Sequence, residues 1–342
     1  MAMVDVTVRG AGIFGLSVAW ACARRGARVQ VVDPHGVGAG SSGGIVGALA
    51  PHTPENWNSK KAFQFDSLMM AQAWWDEVAQ VSGLPTGYAR SGRVQPVLDA
   101  RGLELAQARA EGAKTLWQGK AVWSVEAASG EWCPQSPTGM VIRDTLSGRL
   151  HPRMASQALT GCLPPVVAEA PDQGAVVWAT GWRGLLDLSE RFGRMMGAGV
   201  KGQSALLRYD ARDAPQLFAD ALHIVPHADG TVAIGSTSER EFDAPDTCDD
   251  QLDDVIARAL SAFPVLEGAE VIERWAGVRP RARSRAPMLG AWPDRPGHFI
   301  ANGGFKIGFG MAPKVAEVMA DLVLEGRDTI PQGFRVEDNL PA

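Results

Sequence analysis

A chain of 342 residues, 46% of them hydrophobic, is long enough for two lobes around substantial cores. A net charge of −5, with the 33 Lys and Arg residues scattered, excludes a nucleic-acid footprint and a polybasic membrane patch. The cysteines Cys22, Cys133, Cys162 and Cys248 are far apart with no CxxC, which excludes a structural zinc site or disulfide framework and predicts a reducing cytoplasm. No stretch approaches the roughly 20 apolar residues that span a bilayer. The N-terminus enters VDVTVRGAG without the charged and then apolar leader of an export signal.

The first thirty-odd residues alternate. VDVTVRG is β-branched, IFGLSVAWACARRG has apolar residues at helical spacing, and ARVQVVDP is β-like again and closes on a proline. The turn in this strand–helix–strand unit reads GAGIFG, with Gly10, Gly12 and Gly15 at the GxGxxG positions. Gly10 serves the sharp bend, Gly12 the approach of main chain to a pyrophosphate, and Gly15 the close packing of helix on strand. The helix N-terminus offers free N–H groups and partial positive charge to phosphates. Asp33, eighteen residues after Gly15, ends the second strand, where a carboxylate accepts hydrogen bonds from ribose hydroxyls. These features predict dinucleotide binding over a chance glycine turn.

FAD and NAD share that fingerprint, and the next stretch helps choose between them. From Gly36 to Asn58 the chain carries five glycines between Gly36 and Gly44, with Ser41 and Ser42 among them. Backbone lying along a flat, bulky ligand needs residues without side chains, and neighbouring hydroxyls can bond its oxygens. Flavin suits that better than nicotinamide; the plainer alternative is a mobile surface loop. The segment Tyr88–Met140, with Trp117, Trp123 and Trp132, is expected to shape a pocket wall, a lid or a subunit interface. AVVWATGWRG at 175–184 reads as a buried strand ending in a Thr180–Gly181 turn into a helix. The acidic start of DDQLDDVIARALSAF reads as the solvated N-terminal face of a helix. HFIANGGFKIGFGMAPKVAEVMADLVLEG, 298–326, reads strand, glycine turn, helix, with Gly326 as stop. A helix N-terminus there can point its dipole at a flavin ring, where negative charge accumulates on reduction.

GAGIFGLSVAWACARRGARVQVVDP, GAGSSGGIVGALAPH, SGRLHPRMASQAL, VVWATGW, WAGVRPRARSRAPMLG and GGFKIGFGMAPKVAEVMADLVLEG stand in the order and spacing of the D-amino-acid oxidase family of FAD-dependent oxidoreductases. The chain most resembles the glycine oxidase branch, over nearly its whole length. The resemblance implies an α/β fold: a discontinuous Rossmann-like FAD-binding domain (1–85, 141–200 and 273–342) and a smaller α+β substrate domain with an antiparallel sheet (86–140 and 201–272). The runs YARSGRVQPVL, SALLRYDA, DALHIVP and TVAIGSTS suit such a sheet independently. The resemblance implies that FAD is held noncovalently, and the absence of a cysteine from the C-terminal glycine segment agrees. By the same resemblance its contacts are Gly10, Gly12, Ile13, Phe14, Gly15, Asp33, Pro34, Ser41, Ser42, Gly47, Leu49, Val167, Thr180, Gly181, Trp182, Arg279, Gly304, Phe305, Lys306, Ile307 and Gly308. No metal is expected.

The resemblance implies oxidation of the C–N bond of a small amino acid or secondary amine acid, with hydride passing to flavin N5 and oxygen or another acceptor restoring the flavin. Arg279 occupies the position that grips the substrate carboxylate through a planar fork. Arg281, Arg283 and Arg285 read as surface residues. Lys306 stands where the branch carries an arginine, and offers a second positive charge without the fork. Gly304 replaces a histidine and Ile307 an asparagine. His223 falls at the place of a carboxylate-holding tyrosine, the alternative being a strand histidine facing solvent, and Ala48 replaces a larger residue over the flavin. No general base is expected. Other readings are a flavin-dependent dehydrogenase or tRNA-modifying oxidase of the same fold, or a non-catalytic flavin-binding subunit. A homo-oligomer is an open expectation.

Overall fold

The computed structural model describes residues 3–340, so the outermost two residues at each end of the expected domain division lie outside it. The opening unit forms as β1 (Val6–Arg9), α1 (Ile13–Ala23) and β2 (Val29–Val32), with β1 and β2 parallel. Residues 13–22 of α1 are all buried, which its many small side chains permit. β3 (Ala48–Leu49) follows the glycine-rich loop. α2 (Ser59–Ser82) starts at Asn58, whose Oδ1 accepts from the N–H groups of Lys60 and Lys61, and stops at Gly83 in the left-handed region (φ 68°).

Next come β4 (Arg93–Pro96), α3 (Ala100–Leu116), β5 (Trp123–Ala127), β6 (Met140–Asp144), β7 (Gly148–Arg149) and α4 (Pro152–Gly161), then β8 (Ala175–Trp178), α5 (Gly181–Arg191) and the long β9 (Gly197–Arg208). The remainder is β10 (Gln216–Ala219), β11 (Leu222–Pro226), β12 (Thr231–Gly235), α6 (Asp250–Ala262), β13 (Glu270–Ala282), β14 (Met288–Ala291), β15 (His298–Asn302) and α7 (Gly308–Glu325).

One sheet has the order β14-β15-β8-β1-β2, with the last four strands mutually parallel and β14 antiparallel at the edge. The other, β13-β9-β12-β11-β10-β4-β6-β5, is antiparallel except where β10 meets β4. β3 pairs with β7 as a separate two-stranded ribbon. The strands β6, β9 and β13 run across the expected boundaries at 141, 201 and 273, because strand pairing continues through them. α1, α2, α4 and α7 share the large apolar core beside the parallel sheet, while α6 packs Leu252, Val255 and Ala259 into the core of the antiparallel sheet.

The segment Tyr88–Met140 reaches a large cavity through Arg93, whereas Trp117, Trp123 and Trp132 do not line it. Trp117 is 0% exposed and packs edge to face with Trp123, and Trp132 stacks on Tyr209 while its indole N–H donates to the Pro215 carbonyl (2.8 Å). These indoles fill core around α3 and the sheet's outer strands. The acidic start of α6 is not only a solvated face: the Asp249 carboxylate accepts from Gln203 Nε2 (2.7 Å) and lies 3.5 Å from the buried Lys201 ammonium.

Candidate active site

The β1–α1 turn is built by glycines that meet backbone rather than side chain. Gly10 has φ +109°, and a Cβ there would overlap the carbonyl of Ala179 on the neighbouring strand. A Cβ at Gly15 would overlap the Gly10 carbonyl, so its absence lets α1 descend onto β1. Gly12 is different. Its Cβ would meet only Ser42 Oγ, at 3.2 Å, beside the first free N–H groups of the helix. Ser42 Oγ accepts from Ile13 N–H (2.9 Å), which ties the serine loop to this helix N-terminus. Asp33 ends β2 with Oδ2 accepting from Ala11 N–H (2.8 Å) and Oδ1 from His35 N–H (2.9 Å), so each oxygen keeps lone-pair capacity for hydroxyl donors.

The glycine loop serves two purposes. A Cβ at Gly43 would overlap the Gly38 carbonyl, and one at Gly47 the Leu150 carbonyl, so those positions allow backbone to pass backbone. Around Gly40 nothing lies within 4 Å of a Cβ. Gly44 lies against the Trp275 indole, and a Cβ at Gly277 would also meet that ring. The loop therefore lines a cavity of about 1350 Å³, above the roughly 300–1,000 Å³ of a drug-sized pocket. It runs from Asp33 and Pro34, past Gly12, Ile13, Phe14, Ser41 and Ser42 and the Thr180–Trp182 turn opening α5, to Ala48, Gly47, His223, Arg279 and the Gly304–Gly308 turn opening α7. Three helix N-termini, a bare-backbone loop and a ribose-type carboxylate fit a dinucleotide with a flat ring.

Arg279 stands on β13. Its Nη2 donates to the carbonyls of Thr237 (2.7 Å) and Lys201 (3.2 Å), and its Nη1 to Ser236 Oγ (3.1 Å); Nε has no partner among the described residues. Three of its five N–H groups are thus used on neutral oxygens, and no carboxylate forms an ion pair with it among the described residues. Burial pushes the guanidinium down to about 10, opposed by Glu239, so it stays charged at neutral pH. A Cβ at Gly202 would fall on this guanidinium, which explains a glycine mid-strand.

His223 does not face solvent. It is half-buried on β11 and lines the cavity, with Nδ1 3.3 Å from Gln216 Oε1. Burial first, then the charges of Arg93 and Lys306, push its imidazole down to about 3, so it is a neutral hydrogen-bonding group. Lys306 lies toward the rim, its ammonium lowered by partial burial and by Arg279 and Arg281. Gly304 lies against Phe14: a Cβ there would come within 2.9 Å of the ring, so Phe14 uses the space a histidine would need. Ile307 precedes α7 and gives it no side-chain cap.

Three expected contacts do not line the cavity. Gly15 lies behind the turn, Leu49 is 1% exposed with its side chain in the core, and Val167 sits at the edge of the parallel sheet, 38% exposed. The Val167 N–H donates to the Val31 carbonyl and its carbonyl accepts from Asp33 N–H, so both main-chain groups are used on the β2 segment. The cavity also gathers Gln64, Arg93, Phe218, Ser236 and Trp275, which sequence reasoning missed. Trp275 was findable, since Trp275 and Gly277 share a strand face two residues apart. Gln64 and Arg93 carry no local pattern marking them.

Among the described residues no helix is long and apolar enough to cross a membrane. A family model described as FAD dependent oxidoreductase matches residues 5–163 and 165–322. Glycine oxidase from Geobacillus kaustophilus is 24% identical, over 93% of this chain and 92% of that protein. The bifunctional protein ThiO/ThiG of Synechocystis is 27% identical over 98% of this chain and 55% of its own length. The chain thus spans about half the length of such bifunctional relatives. Among solved structures, the Geobacillus kaustophilus glycine oxidase superimposes with a TM-score of 0.80 at 21% identity, over 97% of this chain and 98% of that one. An iminodiacetate oxidase from Chelativorans gives 0.81 at 19% identity over the same shares. The order and spacing of the glycine turns, the two sheets between which the cavity runs, and a match spanning nearly the whole chain agree: this protein belongs to the family of FAD dependent oxidoreductases, enzymes whose cofactor is FAD.

Proposed function

We propose that this protein oxidises the C–N bond of a small amino acid or secondary amine acid, with FAD held noncovalently. One observation carries the reading: the Arg279 guanidinium, in a cavity wall, has no carboxylate partner of its own among the described residues, and one Nη1 hydrogen is left unspent beside its buried Nε. A substrate carboxylate would supply the missing charge. Thr237, Lys201 and Ser236 hold the guanidinium from behind, so a carboxylate set against it fixes where the α-carbon sits. The glycine oxidase relatives act in the same sense, and their name supports an amino-acid substrate.

When bound, FAD supplies the two-electron acceptor for hydride from the α-carbon and passes the electrons to oxygen or another acceptor. The protein's part is placement and charge. The amine reacts as the free base, its lone pair closes the C=N bond as the α-C–H bond breaks, and water then releases the oxo acid and ammonia or an amine. Neutral His223 can hydrogen-bond the substrate without adding positive charge beside Arg279. The N-termini of α5 and α7 favour negative charge in the cavity. Four free cysteines suit a reducing, cytoplasmic setting.

The test is purification, the flavin spectrum, and anaerobic mixing with small amino acids and N-alkyl amino acids. Bleaching followed by peroxide on readmission of air supports an oxidase, and bleaching without peroxide a dehydrogenase. A yellow protein that no amine acid bleaches refutes the proposal. Arg279→Ala is expected to retain flavin and to weaken reduction at subsaturating substrate by about 2–4 kcal/mol.

A further inference from the structure

Phe305 sits among three cations. The Arg279 and Arg281 guanidinium carbons and the Lys306 ammonium lie 5.9, 5.5 and 5.8 Å from its ring centroid, so no two of them are more than about 12 Å apart. Arg279 and Arg281, two residues apart on β13, share a strand face. Arg281 bridges to Gly304, and the Phe305 N–H donates to the Pro280 carbonyl (2.9 Å), which locks the turn to the strand. Phe305 itself has φ +44°, a conformation uncommon for a non-glycine residue and held here by those contacts.

None of the three cations has a carboxylate within ion-pair distance among the described residues, a property shared with Arg149 and Arg183 but not with Arg24, Arg25, Arg93 and Arg153; what sets the three apart is that they surround one ring. Contact with one aromatic ring contributes roughly 0.5–1 kcal/mol per cation, about the size of the repulsion between two charges roughly 12 Å apart, so the ring neutralises none of the charge. Positive charge held together by backbone, at the rim of a cavity and without protein anions, calls for anions from outside. One carboxylate satisfies Arg279 alone.

We propose that the site has a second anion subsite formed by Lys306 at the rim, with Arg281 behind Phe305, and that its substrate is an amino or imino acid with a distal carboxylate. This rests on the amine-acid reading above. Arg279 takes the α-carboxylate, Lys306 contacts the distal one, and Arg281 strengthens the local potential without lining the cavity.

The test uses the FAD-loaded protein. Anaerobic reduction is compared for iminodiacetate against N-methylglycine and for each enantiomer of aspartate against alanine. Succinate and acetate binding are compared by calorimetry as a readout independent of turnover. The expected result is a preference for the diacid of each pair. Lys306→Met should lower the diacid-to-monoacid ratio roughly tenfold or more, and Lys306→Arg should keep it. A monoacid served as well as its diacid partner, or a ratio that Lys306→Met leaves unchanged, overturns the subsite. Lys306-dependent preference for succinate without bleaching by any amine acid supports the subsite and refutes the amine-acid reading. Absence of both refutes the two together.

Discussion

Gly202→Ala tests the carboxylate site without touching Arg279 itself. A methyl carbon at Gly202 would overlap Nη2 of Arg279 and crowd its Cζ and Nε. The obstructed atoms are the far end of a flexible side chain, so the guanidinium should move and the β9 backbone stay. Movement breaks the donation from Nη2 to the carbonyls of Thr237 (2.7 Å) and Lys201 (3.2 Å), the contacts that aim Arg279. Hydrogen bonds to charged groups contribute about 1.5–3 kcal/mol each. Loss of the aimed carboxylate contact should therefore raise the half-saturating substrate concentration by roughly 10- to 150-fold. FAD should still bind, because Gly202 is remote from the β1–α1 turn in the sequence and the three atoms nearest a Cβ there all belong to Arg279. The assay is anaerobic bleaching across substrate concentration, with visible absorbance for flavin content and a melting curve for integrity. A folded, yellow variant reduced as readily as the parent at low substrate would refute the placement of Arg279 in the site.

The two kinds of loop glycine should separate in mutants. Gly47→Ala, facing the Leu150 carbonyl, should destabilise the protein by roughly 1–3 kcal/mol in urea unfolding, whereas Gly40→Ala, with open space around its Cβ, should leave stability alone and weaken FAD affinity. Gly12→Val should give a colourless protein, since branching at Cβ blocks pyrophosphate approach; a fully yellow variant contradicts that. His223 and His227 are both held neutral down to about 3, mainly by burial, against an ordinary value near 6.5. Between pH 6.5 and 3 the unfolded chain binds protons that the folded one refuses, so stability decreases as the pH is lowered, by about 1.4 kcal/mol per unit for each imidazole. Melting temperature against pH should show this slope, and His227→Gln should flatten it. Asp144→Asn removes the partner of buried Arg93, which lines the cavity, and should cost about 3–5 kcal/mol in denaturant midpoint experiments.

The parts of the site that read well from sequence are those in which backbone geometry dictates residue type. Gly10 and Gly15 are demanded by carbonyls passing close by, and the turn spacing follows from strand and helix geometry, so motif and structure coincide. Strand runs such as TVAIG and LHIVP were legible because a half-buried sheet imposes its own pattern. Residues placed by long-range packing were not. Gln64 reaches the cavity from the middle of α2, Arg93 from β4, and nothing local to either announces it. The indoles of 117 and 123 misled for the same reason: a tryptophan signals apolar area, not where that area lies. Val167, a cofactor contact by its position in the chain, lies outside the cavity lining with its N–H and carbonyl paired to the β2 segment.

The altered turn before α7 bears on the non-catalytic reading. Taken alone, Gly304 in place of histidine and Ile307 in place of asparagine look like losses. In the fold, Gly304 is paired with Phe14 from the opposite end of the chain, whose ring would lie 2.9 Å from any Cβ at 304. The two residues form one packing solution in which an aromatic ring on α1 takes the volume of a side chain on the β15–α7 turn. A histidine restored at 304 would have to displace Phe14, itself 6% exposed and part of the cavity lining. The same turn presents Phe305 between Arg279, Arg281 and Lys306. The turn is instead filled by Phe14 and sets Phe305 among three cations, the arrangement on which the proposed second anion subsite rests.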